Sequence, residues 1–171
     1  MSFDVVVAAD LEWGIGKDGG LPWPRLKRDL LHFKTITTAA SEGRRNAIAM
    51  GRKTWESKEV LGKPLPRRLN IVISRHALVV PDGVIAATSL DAALDAQGDA
   101  ETMFVVGGAE IFRQAFAHPA LRWVYLTRVE GRFGCDTHIP DLDAAFVADA
   151  WPAADHEENG VRYRIERLRR A

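Results

Sequence analysis

Four short segments, residues 3–9, 46–50, 69–74 and 103–106, are apolar runs with little of the polar alternation that a half-solvated strand shows. Runs of this kind belong to strands covered on both faces, as in parallel sheets flanked by helices. Segments with helical spacing lie between and after them: residues 25–38, a short stretch beginning at Arg52, 90–97 and 109–116. Strand-like residues 123–129 follow. Residues 146–151 and 161–168 then read as a final antiparallel pair around a Glu157-Glu158-Asn159-Gly160 turn. This order implies one α/β domain over residues 1–171, a mixed, mostly parallel central sheet of about eight strands with helices on both faces.

At 171 residues the chain is long enough to bury a sizeable core. Its 23 basic and 23 acidic residues cancel, which leaves no electrostatic case for nucleic acid or an anionic membrane as partner. No apolar run approaches membrane-spanning length. The segment 3–9 is too short and wrongly flanked for a signal peptide. Cys135 is the single cysteine, so the chain has no intrachain disulfide or cysteine-cluster metal site. His32, His76, His118, His138 and His156 show no metal-ligand spacing. The expectation is a cytoplasmic protein without a metal.

The chemistry concentrates in residues 14–33. Gly14-Ile15-Gly16-Lys17-Asp18-Gly19 matches the G-x-G-x-x-G pattern of dinucleotide folds, but Leu21-Pro22-Trp23-Pro24 delays the helix that should open within those glycines. The glycines read instead as a flap beside a site. In the following helix Leu26, Leu30, Phe33 and Thr37 share a face, and Asp29 sits on its edge. A buried carboxylate costs several kcal/mol unless something pairs with it. Asp29 is therefore a structural charge with a hidden partner, a surface residue out of phase, or a site residue. Trp23, exposed-looking between two prolines, is an odd choice for a plain linker.

Other stretches leave two readings open. Arg52, Lys53 and Thr54 cluster at a helix N-terminus, as a phosphate site or a solvated basic turn. Gly107-Gly108 at a strand-to-helix turn permits close approach of another group, or simply a tight turn. Ser74-Arg75-His76 ends the third strand, on the side where open α/β sheets gather ligands. Thr88 to Asp91 reads as a capping box opening the helix 90–97.

Taken together these blocks resemble the dihydrofolate reductase family. The resemblance is carried by Val5-Val6-Val7-Ala8-Ala9, Gly14-Ile15-Gly16, Leu21-Pro22-Trp23-Pro24 and Asp29 with Phe33. It continues in Met50-Gly51-Arg52-Lys53-Thr54-Trp55-Glu56-Ser57, Pro64-Leu65-Pro66-Arg67-Arg68 and Asn70-Ile71-Val72-Ile73-Ser74-Arg75. It ends in Val105-Val106-Gly107-Gly108-Ala109-Glu110-Ile111-Phe112, Leu126-Thr127 and Asp136-Thr137. The blocks stand in the family's order and cover nearly the whole chain.

The resemblance implies NADPH-dependent reduction of 7,8-dihydrofolate to tetrahydrofolate by a commonly monomeric enzyme. Hydride would reach pterin C6 and a proton N5. Asp29 would anchor the pterin through its 2-amino group and N3 and favour protonation at N5 through water. Thr127 would hydrogen-bond Asp29, and Trp23 would order the water. Val6, Val7, Ala8, Leu30, Phe33, Leu65 and Val106 would wall the substrate. Arg68, or Arg67 if the loop is one residue out of register, would clamp its glutamate carboxylate.

Arg52, Lys53, Thr54, Ser74 and Arg75 would hold the adenosine phosphates. Gly107, Gly108, Ala109, Ile111 and Phe112, with a cis Gly-Gly peptide, would face the pyrophosphate and nicotinamide. Ala8, Ile15, Gly16 and Val106 would line the nicotinamide pocket. Phe112 stands where many members carry tyrosine, and Glu110 where some carry a basic residue. Two other readings are a pyrimidine reductase of the riboflavin pathway with a similar fold, and a non-catalytic nucleotide- or pterin-binding module.

Overall fold

The N-terminal apolar run forms β1 (Phe3–Ala9), which takes an interior position in the sheet. The computed structural model describes Met1–Ala171. After β1 come β2 (Gly14–Gly16), α1 (Lys27–Thr38), β3 (Ala47–Gly51) and α2 (Arg52–Trp55). Then follow β4 (Leu69–Ile73), β5 (Ile85–Ala87), α3 (Leu90–Ala96), β6 (Met103–Val105) and α4 (Ala109–Ala117). The C-terminal third holds β7 (Leu121–Val129), β8 (Thr137–His138), a 3-10 turn at Leu142–Ala144, β9 (Phe146–Ala148), β10 (Ala154–Glu158) and β11 (Val161–Arg170).

Across the main sheet the order is β10-β11-β7-β1-β6-β3-β4-β5, with β9 also pairing β11. From β7 to β5 every neighbouring pair is parallel, and β11 runs antiparallel to its partners. Apolar strands covered on both sides need helices on both faces, and the side chains divide accordingly. Ala47 and Ala49 join Val5, Val7 and Val105 in a core under α3 and α4, while Ile48 and Met50 face Trp55 of α2 and Phe33 of α1. Asp4 breaks the apolar run of β1. It is 1% exposed and accepts two hydrogen bonds from Arg122, at 3.0 and 2.8 Å, and one from the Trp123 amide. No helix is long and apolar enough to cross a membrane.

Three local expectations are corrected. The strand antiparallel to β11 at the Asn159-Gly160 turn is β10, not residues 146–151; β9 pairs the far end of β11 at Leu168–Arg170. The long β11 thus receives two short partners along one edge, and Trp151 leaves the ladder to pack edge-on against Tyr125. The cap of α3 is Ser89, whose hydroxyl accepts from the Ala92 amide, so the Thr88–Asp91 box is one residue out of phase. Helix α1 opens at Lys27, two residues later than its pattern, because Leu26 is extended at the cap position and the partner of the first helical amides comes from elsewhere in the chain.

Candidate active site

Helix α1 crosses the sheet so that Asp29 meets β7. The Thr127 hydroxyl donates to Asp29 Oδ1 at 2.6 Å. Thr127 stands beside Ala8 in the parallel register of β7 and β1, so both present their side chains to α1. Val7 pairs Leu126 one residue earlier, and both point into the opposite core. This corrects the expected role of Val7, since period-two alternation places only Val6 and Ala8 on the Asp29 side.

Asp29 opens into a cavity of about 270 Å³ with Leu21, Trp23, Arg25, Leu26, Leu30 and Glu59. Its Oδ2 has no donor within the protein, which leaves that oxygen to a ligand. Trp23 is not exposed as its flanking prolines imply: it is 6% exposed, edge-on to Phe133 and packed with Leu26, Val129 and Tyr163. Burial pushes the Asp29 carboxyl above the usual carboxylate range; the Thr127 hydroxyl opposes this, nearby Glu158 adds to it, and His156 opposes it.

About one turn along α1 a second cavity of about 470 Å³ is lined by Phe33, Lys34, Leu65, Pro66, Arg67 and Arg68. Arg68 is 7% exposed, and its guanidinium donates to the Pro66 carbonyl and to Thr37 Oγ1, each at 2.9 Å. No carboxylate pairs with it. Burial, with Arg67 adding, lowers its pKa. An enclosed cation without an anion is what a carboxylate-binding site presents. Arg67 is exposed in the left-handed region at φ 64°, so of the two arginines Arg68 is the one held in place. Phe33, Leu65 and Val106 each pack against the cluster of Ile48, Met50, Trp55 and Val72.

A second group gathers where β6, β3 and β4 end side by side. Gly107-Gly108 follows β6, Arg52-Lys53-Thr54 follows β3 and Ser74-Arg75 follows β4. The Gly51 amide donates to the Gly107 carbonyl at 2.8 Å. The Gly107-Gly108 peptide is cis, and Gly107 has φ 144°. A Cβ at Gly107 would stand 2.8 Å from Thr54 Oγ1, so the turn and α2 meet without room for a side chain. Lys53 and Arg75 are exposed and form no ion pair, whereas Arg52 pairs with Glu56 on the surface. Ser74 is buried, with Oγ accepting from the His76 amide.

Ala109 opens α4, and Ile111 lies directly beneath Gly51. Phe112 is corrected. It is 4% exposed and stacks on Phe116 within the core, because α4 buries positions 111, 112, 115 and 116 together. Glu110 lies outside the site, paired with Arg113 on the exposed face.

The flap is anchored at both ends. Gly14 and Gly16 of β2 pair His138 and Thr137 of β8, and Ile15 packs against the larger core. Asp136 accepts from the Asp18 amide at 2.9 Å. At the other side the Leu21 amide donates to Glu59 at 2.8 Å. Arg25, Glu59, Glu158 and Asp10 are site or support residues that the sequence pattern does not single out. Their contacts join segments far apart in the chain, for which spacing offers no signal.

Residues 2–170 match the family described as dihydrofolate reductase. A bifunctional dihydrofolate reductase-thymidylate synthase of Glycine max is 40% identical over 95% of this chain, which spans 32% of that relative, about a third of its length. The dihydrofolate reductase of Schistosoma mansoni is 40% identical and matched over 96% of this chain and 94% of its own. A solved structure of that enzyme superposes with a TM-score of 0.85 at 36% identity, covering 99% of this chain and 98% of the other.

Proposed function

The chain belongs to the dihydrofolate reductase family, and on that footing we propose that it reduces 7,8-dihydrofolate to tetrahydrofolate with NADPH. The observation that carries the reading is Asp29: a carboxylate set in an apolar pocket, with one oxygen held by Thr127 and the other free.

A planar 2-amino heterocycle offers adjacent N–H donors, and a carboxylate is the acceptor that takes both. Asp29 then fixes the pterin in the pocket of Trp23, Leu26 and Leu30, and its charge raises the proton affinity of N5. The apolar wall of Val6, Ala8, Phe33, Leu65 and Val106 keeps bulk water from the ring, which strengthens that electrostatic effect. Arg68, already desolvated and oriented by Thr37, receives the glutamate carboxylate.

The dinucleotide is assigned to the turn at Gly51, Thr54, Gly107 and Gly108, where β3 and β6 end side by side and the glycines let the turn pack directly on α2. Lys53 and Arg75, with Arg52 and Ser74, supply charge and donors for a ribose 2′-phosphate. Ile15, Gly16 and Ala109 lie on the nicotinamide side. Bound there, NADPH supplies the hydride that reaches C6. The same reading carries a monomer acting in the cytoplasm on a small-molecule substrate, with neither nucleic acid nor membrane as partner.

Asp29→Asn tests the reading. Positioned proton-transfer groups contribute about 10²–10⁴-fold, so turnover falls by that order at neutral pH and recovers in part in acid, where free substrate carries its own proton. Unchanged turnover in the variant would remove Asp29 from the reaction.

A further inference from the structure

Helix α1 has no cap of its own, since Leu26 at the cap position offers no side-chain oxygen. The cap comes from the β10–β11 hairpin. Glu158 accepts from the Lys27 amide at 2.5 Å through one carboxylate oxygen, and from the Arg28 amide at 3.0 Å and the Tyr163 hydroxyl at 2.9 Å through the other. Asn159 donates to the Arg25 carbonyl at 2.6 Å, so two consecutive hairpin residues grip the helix entrance. The Glu158 side chain is 17% exposed and turned inward, whereas Arg28, 4.0 Å away, is 66% exposed. Asp29 is the next residue of the helix.

We propose that Glu158 is a positioning residue for Asp29, capping and seating the helix end that carries it and holding a second carboxylate beside it during the reduction. The inference rests on the reading of Asp29 as the residue that engages the substrate. Two effects of Glu158 act in one direction. Its negative charge faces Asp29 across the hairpin contact and disfavours a second carboxylate. It also covers the first amides of α1, whose exposed partial positive charge would favour that carboxylate.

The other charged or titratable groups around Asp29 are His156 and Tyr163 from the hairpin, Arg25 from the approach segment, Glu59 from the loop after α2, and Lys27, Arg28 and His32 on α1 itself. Of the carboxylates among them, Glu158 is the one bonded to the helix that bears Asp29.

The test reads Asp29 directly. Its carboxyl resonance is titrated in protein carrying ¹³C-labelled aspartate, assigned by its loss in Asp29→Asn, and the pH profile of kcat is recorded on the same samples. In Glu158→Gln the Asp29 titration moves to lower pH, and the limb on which kcat falls as pH rises moves with it. One unit of displacement is tenfold in proton affinity, so turnover at pH 7–8 falls about two- to tenfold. Glu158→Asp keeps the charge and returns both curves toward wild type.

An Asp29 titration unmoved in Glu158→Gln overturns the proposal even if activity falls, and so does a moved titration with an unmoved rate profile. Should the glutamine variant not fold, Tyr163→Phe serves. It removes the hydroxyl that shares the Glu158 charge, leaves the helix contacts, and moves the Asp29 titration upward; no movement contradicts the proposal. Wild-type protein with a titrating Asp29 but no activity on dihydrofolate would instead sink the substrate reading.

Discussion

Asp29 binds its proton more tightly in the folded chain than in the unfolded one, since burial leads the causes that raise its carboxyl. Such a group contributes stability that is complete below the unfolded value and is lost as pH rises through the raised native value. At neutral pH the ionised side chain therefore works against the fold. Asp29→Asn removes the charge and keeps an oxygen for the Thr127 hydroxyl. The variant melts above wild type at pH 7–8, and the two converge as pH falls toward about 4. Melting curves offset equally at every pH would contradict this. The substitution proposed to disable the reaction thus stabilises the protein. Asp29 was legible in the sequence as a carboxylate on an apolar stripe, which is anomalous in itself. Thr127 was legible only through family resemblance, because a threonine on a strand is unremarkable until the register of β7 and β1 brings it to α1.

A buried carboxylate stands at the base of the flap. Asp10 accepts from the amides of Glu12, Gly14 and Phe133 at 2.9, 2.9 and 3.1 Å, and from the Cys135 thiol at 3.4 Å. A Cβ at Gly14 would stand 2.4 Å from Cys135 Sγ, so the two segments meet only because position 14 is glycine. Burial and Asp10 push the thiol up to about 11. In Asp10→Asn the thiol ionises more readily, and Cys135 reacts roughly severalfold faster with a thiol reagent at pH 8. An unchanged rate would show that burial alone protects it. Elements of this kind escape a sequence reading for a plain reason. The strands β2, β5 and β8 are two or three residues long and form only against partners, whereas β1, β3, β4 and β6 announce themselves by composition. The start of α1 was misread for the same reason, its cap lying on another hairpin.

Across the whole molecule, the parallel strands β7 to β5 end on one side, and two clefts open there and along α1. One is lined by Asp29, Trp23 and Arg68, the proposed substrate site; the other gathers Gly107, Gly108, Lys53 and Arg75, the proposed site of a dinucleotide phosphate. The architecture was legible because unbroken apolar runs permit little else than strands covered on both faces. The gathering of Arg52, Ser74 and Gly107 was legible only through family resemblance, since they meet by strand order and not by spacing. The measurement that bears most directly on this account follows the NADPH absorbance band with purified protein and dihydrofolate, repeated with NADH. NADPH is oxidised rapidly and NADH much more slowly. Equal rates would keep the reduction and contradict the phosphate site at Lys53 and Arg75, and no oxidation of either by folded protein would contradict the account itself.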